Sequence, residues 1–547
     1  MVNDDSSIAQ PTTPGQRSTT PGQRSTTLSL ASVLAEPARL RPSATAVIEG
    51  DQHVGYGQLW EQVRAHAAAL RGRGVQPGDR VAIVAPNVID FVRAYYAVLT
   101  AGAVVVPVPL LLVPDEAAHL LRDSGAKLVI GHTSQRALAE ESARRVGVPV
   151  LTVGPGGDPE ASPETTSLTE LAAAAEPVAS FATRAPEDPA VIFYTSGTTG
   201  RPKGAVLTHL NLVMNAVVNA FDANDTRRDD KVLGCLPLFH VFGQTVSLNT
   251  TFRAGAALVL QPKFDPGEAL ELIRRHEVTQ LNGVPTMYIR MLEAAGPETA
   301  LPSLRLCVSG GAALPVAVLE NFERRFGASI HEGYGLSETS PTATVNQPAF
   351  GARAGTVGHP LWGVDAEVAD PDVDDRIELL PTGQTGEIVI RGHNVFAGYL
   401  GDPAATRAAV VDGWFRTGDM GRKDADGYLS IVDRKKDLII RNGYNIYPRE
   451  VEELLIRHPA VAQCAVIGLP DPERGEEICA VVVPEPGELA DDSLSGAIRA
   501  WAAEQTAHHK YPRRVVFVDE LPLGPSHKVL KRELREQLTE TNTAARG

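Results

Sequence analysis

Between residues 28 and 433, short apolar runs alternate with helix-like stretches such as residues 57–70 and Pro266–His276. That alternation is the strongest limit on what the chain can fold into, because it is the pattern of layered α/β structure. At 547 residues the chain is also too long for one core, since single cores stop growing at about 250–300 residues. The last hundred or so residues read differently. Pro448 opens a helix with Val451, Leu454 and Leu455 on one face, and Pro459 closes it. Strands are predicted at 464–467, 478–483 and 515–518, with a helix at about 494–506 before the last, which makes a small α+β unit. The expectation is a leader over 1–27, a large N-terminal layered α/β domain over 28–433 and a small mobile C-terminal α+β domain over 434–547.

Two stretches predict structure of other kinds. Residues 12–18 repeat directly as 19–25, a heptad of turn formers that cannot bury apolar surface, and it is expected to be disordered. Residues 154–185 are rich in Ala, Pro and Gly and read as a surface connection. The most apolar run, 101–113, is broken by Pro107 and Pro109 and is too short for a bilayer, which needs about 20 residues; it reads as buried strand and turn.

The stretch with most chemistry is Tyr194, Thr195, Ser196, Gly197, Thr198, Thr199, Gly200, Arg201, Pro202, Lys203 and Gly204. Glycines let backbone N–H groups approach an anion, hydroxyls add donors, and Lys203 adds charge, so the loop fits the phosphates of a nucleotide. The alternative is a polar surface turn. It is not a Walker loop, because Lys203 is followed by Gly204 and by the extended-looking Ala205, Val206 and Leu207 rather than by a helix.

Charge and cysteines narrow the class further. Lys plus Arg total 51 against 66 Asp plus Glu, a formal charge of −15, which argues against nucleic acid or an anionic membrane as the main partner. Cys235, Cys307, Cys464 and Cys479 form no ligand-spaced cluster, which fits a reducing cytoplasm. Asp4 and Asp5 stand where a signal peptide carries positive charge, so no export signal is expected.

Several separated blocks together resemble the adenylate-forming enzymes, and among them the acyl-CoA synthetase branch of fatty-acid and aryl-CoA ligases. The blocks are the 194–204 loop; Ser309, Gly310, Gly311 and Ala312; Gly333, Tyr334, Gly335, Leu336, Ser337 and Glu338; residues 414–419 ending in Asp419; Asp433 to Asp437; and Lys528 to Arg532. The resemblance covers the chain from about Leu28 to the carboxyl end and implies two half-reactions at one site. A carboxylate attacks the α-phosphate of ATP to give acyl-adenylate and pyrophosphate; the thiol of coenzyme A then displaces AMP. It implies that Thr195, Ser196, Gly197, Thr198, Thr199, Gly200 and Lys203 hold phosphates and that Glu338 binds Mg²⁺. Ser337 would reach the α-phosphate, Asp419 and Arg434 the ribose, and Lys528 the charge that builds during adenylation. Tyr334 offers a ring to adenine beside Gly310, Gly311, Ala312, Gly333 and Gly335, although alone it reads as core. Rotation about a hinge at Lys436 would remove Lys528 and bring Gly443 and Tyr444 beside the pantetheine of CoA.

The acid would enter a mostly apolar pocket of Phe239, His240, Gln244 and Val284, with no acidic residue for a substrate amine. His240 reads equally as a structural histidine. The family has glycine before its catalytic lysine where this chain has His527. That leaves two readings, a tolerated residue or an impaired adenylation half with acyl-adenylate supplied by a partner ligase. A third reading, loading of a carrier protein, is disfavoured by the CoA-type stretch from Tyr444 to Glu450. Neither the oligomeric state nor the particular acid is legible.

Overall fold

The computed structural model describes residues 26–155, 166–196, 202–442, 444–471, 473–522 and 529–544. The tandem heptad therefore lies outside the described residues. Val- and Ile-rich runs form the centre of each large sheet. In the first, Arg80–Val84 pairs in parallel with Val104–Pro107 and Ala126–His132, and the latter with Val150–Val153. Such strands are buried on both faces, which explains their near-continuous apolar sequence. Pro189–Ser196 joins this sheet in parallel and turns back as the antiparallel Pro202–Thr208. A second sheet runs in the order His359–Pro360, Thr342–Val345, Ser329–Gly335, Leu306–Ser309, Gln280–Gly283, Lys231–Gly234, Ala257–Leu260, Thr45–Glu49, Gln52–Gly55. Helices Tyr56–Gly72 and Ile89–Ala101 share with these sheets a core that includes Leu59, Val63, Phe91 and Tyr95. The expected helix Pro266–His276 is present, capped by Asp265, whose carboxylate accepts the N–H of Glu268.

A third, antiparallel sheet contains Val364–Ala369, Thr385–Gly392, Trp414–Lys423 and Leu429–Arg434. The carboxyl-terminal sheet follows it directly: Ile439–Arg441, Tyr444–Ile446, Val461–Asp471, Gly475–Pro484 and the parallel Arg514–Phe517. Helices Pro448–Leu455 and Asp492–Gln505 bury Val451, Leu455, Ile498 and Ala502 with Ile478, Ala480 and Val482. Cys479 and Val481, alternating on the same strand, meet Leu534 of helix Lys531–Ala544. The architecture is a large layered α/β portion followed by a small α+β portion.

Two sequence expectations need correction. Within 154–185, Thr166–Ser167 pairs onto the first sheet and Leu168–Ala173 is a helix whose Leu168 is fully buried. Ser167 caps it by accepting the N–H of Glu170, a local signal masked by the Ala/Pro-rich surroundings. The run 101–113 is buried only as far as its turn: Leu111 and Val113 are exposed, because Pro107 and Pro109 end the strand and carry the chain to the surface.

Candidate active site

The two ends of the stretch predicted to grip phosphates pair as antiparallel strands. Tyr194 pairs with Gly204, Thr195 with Lys203 and Ser196 with Pro202. The phenol of Tyr194 donates to Asp123 (2.7 Å), tying the strand to the end of helix Pro114–Ser124. A Cβ on Gly204 would stand 3.0–3.3 Å from Ile192, Leu400 and the Tyr194 ring, a space that suits glycine. Gly197, Thr198, Thr199, Gly200 and Arg201 at the tip lie outside the described residues, as do Gly443, His527 and Lys528. Lys203 holds its ammonium 5.3 Å from the centroid of the Tyr399 ring and 3.8 Å from Asp402.

Strands Leu306–Ser309 and Ser329–Gly335 run side by side and bring Ser309 and Gly310 next to Gly333. Gly335 admits no side chain, since a Cβ there would stand 1.7 Å from the Pro341 carbonyl oxygen. Gly311, at φ +83°, turns the chain away towards the exposed Ala312. Tyr334 is buried against Ala343 and Val345, and its hydroxyl donates to Asp419 (2.7 Å). The other oxygen of that carboxylate faces Arg434 (3.2 Å), so Asp419 links the two residues predicted for adenine and ribose. One carboxylate was missed by sequence reasoning. Glu332 takes the N–H of Leu314 on one oxygen (3.3 Å), while the other meets no donor among the described residues. Burial pushes this carboxyl up to about 7.

Ser337 and Glu338 occupy a 3₁₀ turn after the same strand. Glu338 is buried, and its Oε1 accepts from the hydroxyls of Tyr399 (2.9 Å) and Thr195 (3.3 Å). Among the described residues no donor reaches Oε2, and no cluster of three or more His, Cys, Asp or Glu forms. A hard cation at Glu338 would therefore complete its shell with phosphate oxygens and water, the mode that suits Mg²⁺.

The predicted pocket residues divide. Val284 caps helix Pro285–Ala294 and is almost fully buried, whereas Phe239 and His240 are partly exposed. His240 accepts the N–H of Phe242 on Nδ1 (3.2 Å), a contact that supports its structural reading. Gln244 is fully buried; its amide nitrogen donates to Leu238 (3.1 Å) and its oxygen meets no donor among the described residues. Phe242, in the same stretch as Phe239 and His240, lies with its ring 3.2 Å from where a Cβ on Gly310 would stand, and the Gly333 carbonyl oxygen is 3.4 Å from that point.

Comparison with known proteins now identifies the assembly. Residues 34–400 match the model of the AMP-binding enzyme family, and 450–528 that of the AMP-binding enzyme C-terminal domain. The chain belongs to the AMP-binding enzyme family. It is 40% identical over 504 residues to a feruloyl-CoA synthase of Amycolatopsis sp, covering 91% of this chain and 97% of the relative. It is 36% identical over 541 residues to a long-chain-fatty-acid–CoA ligase of Bacillus subtilis (strain 168), covering 94% and 95%. Its structure matches that of ATP-bound MatB from Rhodopseudomonas palustris with a TM-score of 0.85 at 35% identity, covering 93% of this chain and 99% of that one. This AMP-binding enzyme is an acid–thiol ligase that joins a carboxylic acid to CoA through an acyl-adenylate, using ATP, CoA and Mg²⁺.

In this family member the small portion is held near the predicted hinge by a buried carboxylate. Asp433 accepts the backbone N–H of Arg434 (2.7 Å) and of Arg449 (2.8 Å), while the Arg449 guanidinium donates to the Ile431 carbonyl (2.8 Å). Burial pushes the Asp433 carboxyl up, with Lys531 and these two N–H groups opposing. Lys436 is exposed in the 3₁₀ turn that follows. Tyr444 is exposed too, its ring 4.8 Å from that of His509. No helix is long and apolar enough to cross a membrane among the described residues.

Proposed function

We propose that the acid is hydrophobic and aromatic, of the aryl-propenoic kind, and that both half-reactions run at the site built around Glu338. The observation that carries the substrate class is the aromatic ring of Phe242 beside Gly310, where the stretch read as the acid pocket meets the stretch read as the adenine site. Identity to a feruloyl-CoA synthase supports the same class. In this reading Thr195, Ser196, Lys203 and the 197–200 tip hold the phosphates, Glu338 takes the Mg²⁺, and Asp419 with Arg434 holds the ribose. Lys528 meets the charge growing between carboxylate and α-phosphate. Residues 434–547 then turn about Lys436, taking Lys528 away and bringing Gly443 and Tyr444 to the pantetheine. His527 is read as tolerated, because the CoA-ligase relatives favour complete turnover over transfer from a preformed adenylate or loading of a carrier. The free cysteines fit a reducing cytoplasm.

The test is CoA consumption across a panel of cinnamic, benzoic and straight-chain fatty acids with ATP and Mg²⁺. Aryl-propenoic acids should show the highest kcat/KM. A preference for long fatty acids by an order of magnitude would overturn the substrate class and leave the ligase reaction standing.

A further inference from the structure

Tyr399 belongs to none of the residues assigned to the reaction, yet it touches two of them. Its hydroxyl donates to Glu338 Oε1 at 2.9 Å across 61 residues of sequence, and the Lys203 ammonium stands 5.3 Å from its ring centroid. Its backbone leaves the side chain little freedom. Gly398–Tyr399 pairs antiparallel with Val206 and Ala205 of the phosphate hairpin, and hydrogen bonds from Ala397 to Val206 (2.9 Å) and from Leu400 to Gly204 (2.8 Å) fix the chain on either side. The Tyr399 N–H donates to Thr406 Oγ1 (2.9 Å), and the ring packs edge-on against Phe396, centroids 4.9 Å apart. Gly398, at φ +133°, would place a Cβ 2.7 Å from the Thr406 methyl, so the approach to Tyr399 depends on glycine.

The geometry points to Tyr399 as a positioning residue for Mg·ATP: its hydroxyl fixes Glu338 so that Oε2 faces the cation, and its ring holds Lys203 over the phosphates. This rests on the assignment of Glu338 and Lys203 made above. Tyr399 and Thr195 approach the same carboxylate oxygen, which fixes the rotation of the group and leaves the other oxygen for a metal. The ring face towards Lys203 restrains a flexible ammonium before the triphosphate arrives.

The experiment measures binding of a non-hydrolysable ATP analogue to the full chain by calorimetry, with and without MgCl₂, and thermal unfolding of each variant. Wild type should bind more tightly with Mg²⁺. Tyr399→Phe keeps the ring and should leave Mg²⁺-free affinity unchanged, while the Mg²⁺ enhancement falls about tenfold, the size expected for losing one hydrogen bond to a charged group. Tyr399→Leu should also weaken Mg²⁺-free binding, because Lys203 loses its platform. Glu338→Gln should abolish the enhancement, and adding Tyr399→Phe to it should cost nothing more. An unchanged enhancement in Tyr399→Phe, equal loss with and without Mg²⁺, or additive effects in the double variant would each overturn the inference. If wild type binds Mg·ATP yet yields no acyl-CoA, the reaction assignment fails instead.

Discussion

Glu332 and Glu338 lie on one stretch of chain, both buried, with opposite surroundings. Glu338 is met by two hydroxyls, whereas around Glu332 burial outweighs the N–H groups of Leu314 and Gly355, and one of its oxygens meets no donor within hydrogen-bond distance among the described residues. Its carboxyl is therefore raised from the ordinary 4.5 to about 7. A raised folded value means the folded protein binds the proton more tightly than the unfolded chain. That stabilisation is complete below about 4.5 and is lost as pH rises through about 7. Glu332→Gln keeps an acceptor and removes the titration. It should unfold like wild type near pH 4.5 and be the more stable at pH 8, by about 3 kcal/mol at most. Thermal unfolding across pH checks this, and a constant difference would contradict it. Asp419→Asn should raise KM for ATP, because Arg434 loses its partner, while kcat with preformed acyl-AMP and CoA changes little; steady-state kinetics on both substrates separates the two.

Residues in contiguous motifs were legible because one short segment fixes their geometry: Thr195 opposite Lys203 in a hairpin, or Tyr334 and Glu338 around a turn. Tyr399 was not legible, and although Phe242 and Asp433 fall in stretches read as pocket and hinge, the contacts they make were not. The partners are distant in sequence or are backbone groups, and no local spacing records such a contact.

At the scale of elements, strong periodic signals read well and composition alone misled. Pro266–His276 and the small-domain strands stand where the apolar pattern predicted, while Leu168–Ala173 was hidden in an Ala/Pro-rich span whose cap was the better signal. Strands Ile439–Arg441 and Gly475–Pro484 are joined by the Arg441–Glu477 pair at 2.7 Å, with both side chains nearly out of solvent. Glu477→Ala leaves a buried guanidinium and should cost about 3–5 kcal/mol in denaturant unfolding. Arg474, half-exposed at 3.3 Å from the same carboxylate, should matter far less. Gly335→Ala forces the backbone at Pro341 to move and should lower both thermal stability and ATP binding.

For the molecule as a whole, the two portions meet where Asp433 receives N–H groups from both sides of the turn at Lys436. A turning small portion needs that segment to change its backbone angles. Lys436→Pro, which fixes φ, should retain acyl-adenylate formation and lose transfer to CoA, as single-turnover assays of each half would read. The order of the motifs along the chain made the reaction legible, whereas the contacts of Asp433 beside the predicted hinge emerge only from the fold. The central claim is passage through an acyl-adenylate, and it is tested most directly with acid labelled by ¹⁸O in its carboxyl group, turned over with ATP and CoA. The account predicts that one carboxyl oxygen is carried into AMP, because it bonds to the α-phosphorus before the thiol displaces it. AMP without label, or label in inorganic phosphate with ADP formed, would contradict it.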